Sequence, residues 1–236
     1  MGNATPLNRL KAWLSTWRLI QFVRDIPLYF DRRETYSQFG EDSFLVEHVF
    51  SGKNTGFYVD IGASHPIRIS NTYALYRRGW SGIVVEPIHN LVRVHKRWRP
   101  RDVQVECLLG DTDGSATFHR MYPSTRSTTS REECEQSLKW QGAVLISSRT
   151  IPQLTLKTLF EKYVGSRNVD FMSVDIEGMD QFMAPQIRLL PREAVPQCLC
   201  IECYAEEAEQ NIIKSLGDIY KNRKKIGINL VFWEVA

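Results

Sequence analysis

The chain has 236 residues, 43% hydrophobic and 24% charged, which is the composition of an ordinary globular protein built around one sizeable core. Thirty Lys and Arg against 27 Asp and Glu leave a net charge of only +3, so nothing argues for a nucleic-acid partner. Five Cys without a framework spacing argue against a disulfide-stapled secreted scaffold and point to a reducing cytoplasm.

Residues 1–33 form a compositional zone of their own. Six basic residues oppose two acidic ones there, which gives a local charge of +4 and leaves the remainder near −1. Leu10, Trp13, Leu14, Trp17 and Ile20 recur near helical spacing and predict a basic amphipathic helix that ends by Pro27. Lys11, Arg18, Gln21, Arg24, Asp25 and Pro27 interrupt this region, so it cannot span a bilayer or serve as a signal peptide. Packing on the domain, homodimerisation and peripheral contact with an anionic membrane surface all remain open for it.

Residues 34–236 read as one domain. After a turn at Ser37–Asp42 comes a helix to Phe50, and then the pattern changes. Short apolar runs at 57–61, 82–86, 103–108, 171–176 and 198–203 predict buried parallel strands. Helical patterns at 71–78, 88–97, 156–163, 181–190 and 206–216 separate them, so the fold is α/β with a doubly wound, mostly parallel sheet. Runs at 218–223 and 228–235, joined by residues 224–227, predict a C-terminal hairpin that adds an antiparallel strand. The Ser/Thr/Arg-rich stretch 121–150 reads as an inserted, mobile substrate loop.

Open α/β sheets bind ligands beyond the carboxyl ends of their strands. Those ends carry Asp60, Glu86, Asp175, Glu177 and Glu202, with Asp111 shortly after the third strand. The first turn has a single well-placed glycine, Gly62, where a dinucleotide fold needs a glycine series for its pyrophosphate. A row of acids suits a cationic nucleoside such as S-adenosylmethionine instead. Glu86, 24 residues beyond Gly62, stands where an acid takes ribose hydroxyls, and Asp111 could reach an adenine amino group.

These residues also carry a family resemblance. Tyr58-Val-Asp-Ile-Gly-Ala-Ser-His-Pro66, Ser70-Asn-Thr-Tyr73, Arg78-Gly-Trp80, Val85-Glu-Pro87, Leu154-Thr-Leu156 and Val169-Asp-Phe-Met-Ser-Val-Asp-Ile-Glu-Gly178 resemble the FkbM-type SAM-dependent methyltransferases. Ser37-Gln-Phe-Gly-Glu-Asp42 resembles a subgroup of that family. The resemblance implies a class I methyltransferase, Rossmann-like fold and O-methylation of a sugar or natural-product hydroxyl. It puts Gln38, Asp60, Gly62, Ala63, Asn71, Glu86 and Asp111 at cofactor-binding positions. The family often has a histidine where this chain has Met179, so a general base would have to come from Asp175, Glu177 or His65.

Each residue also has a plainer role. Asp60 could cap a helix, Glu177 could orient its loop, and His65 could be a satisfied loop histidine. Asp175 and Glu202, on adjacent strands, could hold Mg²⁺ or Mn²⁺ against the acceptor oxygen. Cys198, Cys200 and Cys203 read as buried thiols rather than zinc ligands, because Cys203 points away from the other two. The stretch Arg126–Arg131 could bind a phosphorylated acceptor. The expected function is methyl transfer to a hydroxyl of a glycan or small molecule. The alternatives are N-methyl transfer, or a nucleotide-sugar-binding protein that has lost turnover.

Overall fold

The computed structural model describes residues 5–14, 34–140, 142–176 and 182–236. The first elements are α1 (Pro6–Leu14) and α2 (Glu41–Phe44), which runs on as a π-turn through Leu45–Val49. They are followed by β1 (Phe57–Ile61), α3 (Tyr73–Arg77), β2 (Ser81–Val85), α4 (His89–Trp98) and β3 (Val103–Val105). Next come β4 (Leu108–Leu109), β5 (Gly114–Tyr122), α5 (Arg131–Ser137), β6 (Val144–Leu154) and α6 (Leu156–Leu159), continued as a π-turn through Phe160–Val164. The chain closes with β7 (Phe171–Val174), α7 (Met183–Arg188), β8 (Cys198–Glu202), α8 (Glu206–Leu216), β9 (Tyr220–Ile226) and β10 (Asn229–Val235).

The main sheet has seven strands in the order β3-β2-β1-β7-β8-β10-β9. Pairing is parallel from β3 to β8, and β10 runs antiparallel to both of its neighbours. Strand order reverses between β1 and β7, which opens a crevice at their carboxyl ends. Strand alternation sends Val59, Ile61, Met172, Val174, Leu199 and Ile201 to one face, where α6, α7 and α8 cover them. Tyr58, Phe171, Cys198 and Cys200 point to the other face, under α2, α3 and Trp80. Cys203 belongs to the first face, so the three cysteines divide as alternation requires, and all five thiols are buried and free.

Three sequence expectations change. The run 103–108 is not one strand: β3 ends at Val105, and Leu108–Leu109 turns away to pair with β6 in a separate three-stranded sheet ordered β4-β6-β5. The insertion 121–150 is in part regular structure, since both of its ends lie in strands. Residues 114–122 and 144–154 form a long antiparallel hairpin, because Phe118, Ile151 and Ala116 find an apolar seat on Ile88, Leu91 and Leu108. The C-terminal turn is tighter than the 224–227 link: β9 runs through Ile226 and the turn occupies 227–228. Gly227 has φ +56°, and a Cβ there would fall 2.3 Å from the Phe39 ring.

Within the predicted N-terminal helix, only Pro6–Leu14 is among the described residues, with Leu7, Leu10 and Trp13 exposed. The continuation through Trp17 and Ile20 to Pro27 lies outside them. Among the described residues, no helix is long and apolar enough to cross a membrane.

Candidate active site

Because β2, β1, β7 and β8 run in parallel register, Glu86, Asp60, Asp175 and Glu202 come to one rim of the sheet. The loop after β1 makes the first wall. Gly62 has φ +76°, and a Cβ on it would stand 1.6 Å from the Asp175 carbonyl oxygen, so only glycine allows the two backbones to meet. The amides of this loop are already engaged. Gly62 and Ala63 N–H both donate to the Val85 carbonyl (3.0 and 3.2 Å), and Ser64 N–H donates to Glu86 Oε2 (2.9 Å). Ile67 and Arg68 N–H donate to His65 Nδ1, each at 3.1 Å.

That last pair decides what His65 can do. Its Nδ1 is an acceptor for two backbone donors, so the neutral ring carries its proton on Nε2. The ring therefore shapes the turn and is poorly suited to act as a general base.

Glu86 is 4% exposed, and its Oε1 accepts Ile88 N–H at 2.7 Å. Burial pushes its carboxyl up to about 8. The Ile88 and Ser64 amides and Arg120 pull against burial, while Asp175 adds to it. This buried acid is poised to gain from a ligand that donates hydrogen bonds to it.

Asp60 is also 4% exposed but turns inward. It accepts a short hydrogen bond from the Thr72 hydroxyl and lies 3.8 Å from Arg99 Nη1. Burial raises its pKa, opposed by Arg99 and Thr72. Arg99 is wholly buried and forks to Asp102 Oδ2 (2.7 Å), the Tyr58 hydroxyl (2.7 Å) and Thr72 Oγ1 (2.9 Å). Asp60 thus anchors one end of a buried polar network beneath the rim. Neither Arg99 nor Thr72 stood out in the sequence, since Arg99 lies in a basic stretch typical of a solvated helix end.

Asn71 Nδ2 donates to Ser173 Oγ (3.0 Å) and reaches Cys200 Sγ at 3.8 Å, tying the β1–α3 loop to β7 and β8. Asp111 is exposed beside α7, where Gln186 Nε2 donates to it (3.3 Å) and to the Gly110 carbonyl (3.2 Å). Gln38 is exposed at the tip of the segment that precedes α2. Asp42 holds that segment in shape, accepting from Tyr36 N–H (2.7 Å), the Thr35 hydroxyl (2.5 Å) and the Ser37 hydroxyl (2.7 Å). Glu41, fully buried, accepts from Asn229 Nδ2 (2.6 Å), and Asn229 is the register partner of Glu202. The acidic residues of this turn therefore build the site wall, a role that its spacing did not reveal.

Glu177 lies outside the described residues, as does Met179. Asp175 is half-buried, with its N–H donating to the Ile61 carbonyl (3.0 Å). Asp175 and Glu202 end neighbouring strands, but among the described residues no group of three His, Cys, Asp or Glu side chains is placed to share a metal ion. The Mg²⁺ or Mn²⁺ expectation therefore finds no support in the donor set.

This strand order, with its crevice between β1 and β7 and acids along the rim, defines the class I, Rossmann-like fold of methyltransferases. Residues 60–182 match the family described as the methyltransferase FkbM domain, and the chain belongs to that family. The protein is therefore a methyltransferase, and its family implies S-adenosylmethionine as the donor. Among solved structures, the TehB-like SAM-dependent methyltransferase from Corynebacterium glutamicum ATCC 13032 Kitasato is similar at 11% identity. That match covers 92% of this chain and 96% of that one, with a TM-score of 0.44. No curated protein matches.

The residues present fit that donor. The amides of Gly62, Ala63, Ser64, Ile67 and Arg68 are committed to protein acceptors, which leaves none of these five for a pyrophosphate, while Glu86 presents a buried acceptor at the rim. A ribose, which donates hydroxyls, suits the Glu86 carboxyl, and a pyrophosphate has no amide to receive it among these five.

Proposed function

We propose that the protein transfers a methyl group from S-adenosylmethionine to a hydroxyl of a sugar, glycan or related natural product. The observation that supports this most is that the amides of Gly62, Ala63, Ser64, Ile67 and Arg68 are already engaged beside the buried Glu86 carboxyl. Glu86 takes the ribose hydroxyls, Gly62 and Ala63 give the donor room against the loop, and Asp111 and Asn71 border its two ends. Gln38 reaches over the crevice from the segment preceding α2. The donor supplies an activated methyl group, and the chain supplies alignment and a place for the acceptor's proton. Asp175 accepts that proton, because it stands at the rim while the His65 ring is committed to its turn.

The setting for this reaction is the cytoplasm, where the five free thiols would stay reduced. The exposed Leu7, Leu10 and Trp13 of α1 support a membrane-peripheral or subunit contact for the N-terminal zone 1–33. Deleting 1–33 and measuring vesicle cosedimentation tests that part, and unchanged cosedimentation rejects the lipid role.

Calorimetry with S-adenosylmethionine and with NADH tests the donor. The first should bind and the second should not; a folded chain that ignores S-adenosylmethionine overturns the proposal. A labelled-methyl screen over hydroxyl and amine acceptors then tests the linkage. Asp175→Asn should lower kcat while leaving donor affinity close to that of the parent.

A further inference from the structure

The β5–β6 hairpin has an inner face that changes character along its length. Its cross-strand pairs on that face are Ala116 with Ile151, Phe118 with Arg149, and Arg120 with Ser147. The apolar end sits on Ile88 and Leu91. Ile88 is two residues past Glu86 and donates its N–H to that carboxyl at 2.7 Å. The hairpin is thereby fixed against the rim, and the cationic end of its inner face, Arg120 with Arg149, lies next to the apolar seat.

These two arginines differ from the others in the insertion. Arg126 is stacked over the Trp140 ring at 4.0 Å, and Arg131 pairs with Glu135 at 3.0 Å. The stretch 126–131 that the sequence suggested for anion binding is thus already occupied. Arg120, by contrast, is half-buried and Arg149 is exposed, and among the described residues neither side chain has a hydrogen bond, ion pair or ring partner, although the Glu86 carboxyl acts electrostatically on Arg120. A guanidinium has five N–H donors in a planar fork, so burying half of it without a partner is unfavourable. Setting a second cation beside it adds repulsion. Burial lowers the pKa of Arg120, Glu86 raises it, and Arg149 lowers it further, so these two charges are the ones it senses. An arrangement that is unfavourable when empty is complete when an oxyanion enters it.

We infer that Arg120 and Arg149 bind a phosphoryl group carried by the methyl acceptor, so that the acceptor is a phosphate or diphosphate ester rather than a neutral glycan. Two cations on neighbouring strands of one hairpin face match the charge of about −2 on a phosphoryl group. The placement beside Glu86 sets the bound ester at the mouth of the donor crevice. The inference rests on the methyltransferase reading above and adds the class of acceptor to it.

The test is titration of inorganic pyrophosphate into the full chain saturated with S-adenosylhomocysteine, comparing the parent with Arg120→Gln, Arg149→Gln and Arg120→Lys. The parent should bind pyrophosphate, and each Gln variant should bind it at least about tenfold more weakly. Arg120→Lys keeps the charge without the fork and should fall between them. Affinity for S-adenosylhomocysteine should change by less than about threefold in all three, which also confirms folding. A parent that binds S-adenosylhomocysteine but not pyrophosphate overturns the inference and leaves the donor reading intact. So does pyrophosphate binding that the variants leave unchanged. A loss of S-adenosylhomocysteine affinity equal to the loss for pyrophosphate would assign the arginines to the donor and overturn the inference as well. Failure of the parent to bind S-adenosylhomocysteine would count against the donor reading alone, and pyrophosphate would then be titrated into the unliganded chain with the same expectations.

Discussion

Arg99 Nη1 lies 3.8 Å from Asp60 Oδ2, both side chains are withdrawn from solvent, and Thr72 is hydrogen-bonded to each of them. The acid at the tip of β1 is therefore held from below by a cation that comes from the far end of α4. Burial opposes the charge on Arg99, yet Tyr58, Asp102 and Asp60 outweigh it and keep the guanidinium protonated.

Removing that cation would leave Asp60 and Asp102 as buried, poorly compensated carboxylates. Arg99→Met should destabilise the protein by about 3–5 kcal/mol. Arg99→Lys should lose less, because it keeps the charge but not the fork to Asp102, Tyr58 and Thr72. Urea unfolding at neutral pH measures both. Equal stability of the Met variant and the parent would contradict the network's role.

Glu86 makes stability depend on pH. Its carboxyl is raised by burial to about 8 in the folded chain, against 4.5 in the unfolded one. Between those values the folded state binds the extra proton, so stability falls as pH rises through this window and levels off above it. Glu86→Gln resembles the protonated acid and escapes the penalty. Gln keeps only one of the two backbone hydrogen bonds, a cost that does not vary with pH, so relative to the parent the variant should gain a few kcal/mol of stability between pH 4 and pH 9, an order of magnitude set by the size of the shift. Urea midpoints at the two pH values check this, and a difference independent of pH would rule it out. The same variant should bind S-adenosylmethionine more weakly, since Gln offers the ribose one acceptor oxygen instead of two.

Gly62→Ala places a methyl where the Asp175 carbonyl already stands, 1.6 Å away, at a φ of +76°. The change should lower stability by well over about 1 kcal/mol, because both the conformation and the contact disfavour it. It should also abolish donor binding by pushing the loop off β7. Thermal unfolding and calorimetry report the two effects separately.

The five cysteines are buried and free, and burial pushes Cys107 up to about 12 and Cys198 and Cys200 well above their ordinary value. Thiol reagents at pH 8 should therefore label the folded protein very slowly, with all sites reacting once it is unfolded in urea. Rapid labelling of the native chain would contradict this burial.

The sequence by itself determined the doubly wound sheet and the acids at its strand ends. Short apolar runs buried on both faces, as in Tyr58–Ile61 and Phe171–Val174, have few alternatives to parallel strands, and a strand's last residue must fall on the rim. It also determined that the turn at Gly62 could not serve a dinucleotide, since one glycine does not make a phosphate nest. Only the tertiary structure decided which acids face the crevice. Asp60 and Glu86 look alike in sequence, but Asp60 meets Arg99, 39 positions away, and Glu86 meets the loop of its neighbouring strand. The strands that flank and enter the insertion were hidden for the same reason. Its strands are half polar, and what makes them strands is the seat on Ile88 and Leu91, a partner no local pattern announces. Long-range partners thus settle both the direction of each acid and the fold of the hairpin, because burial and pairing are properties of what lies opposite in space.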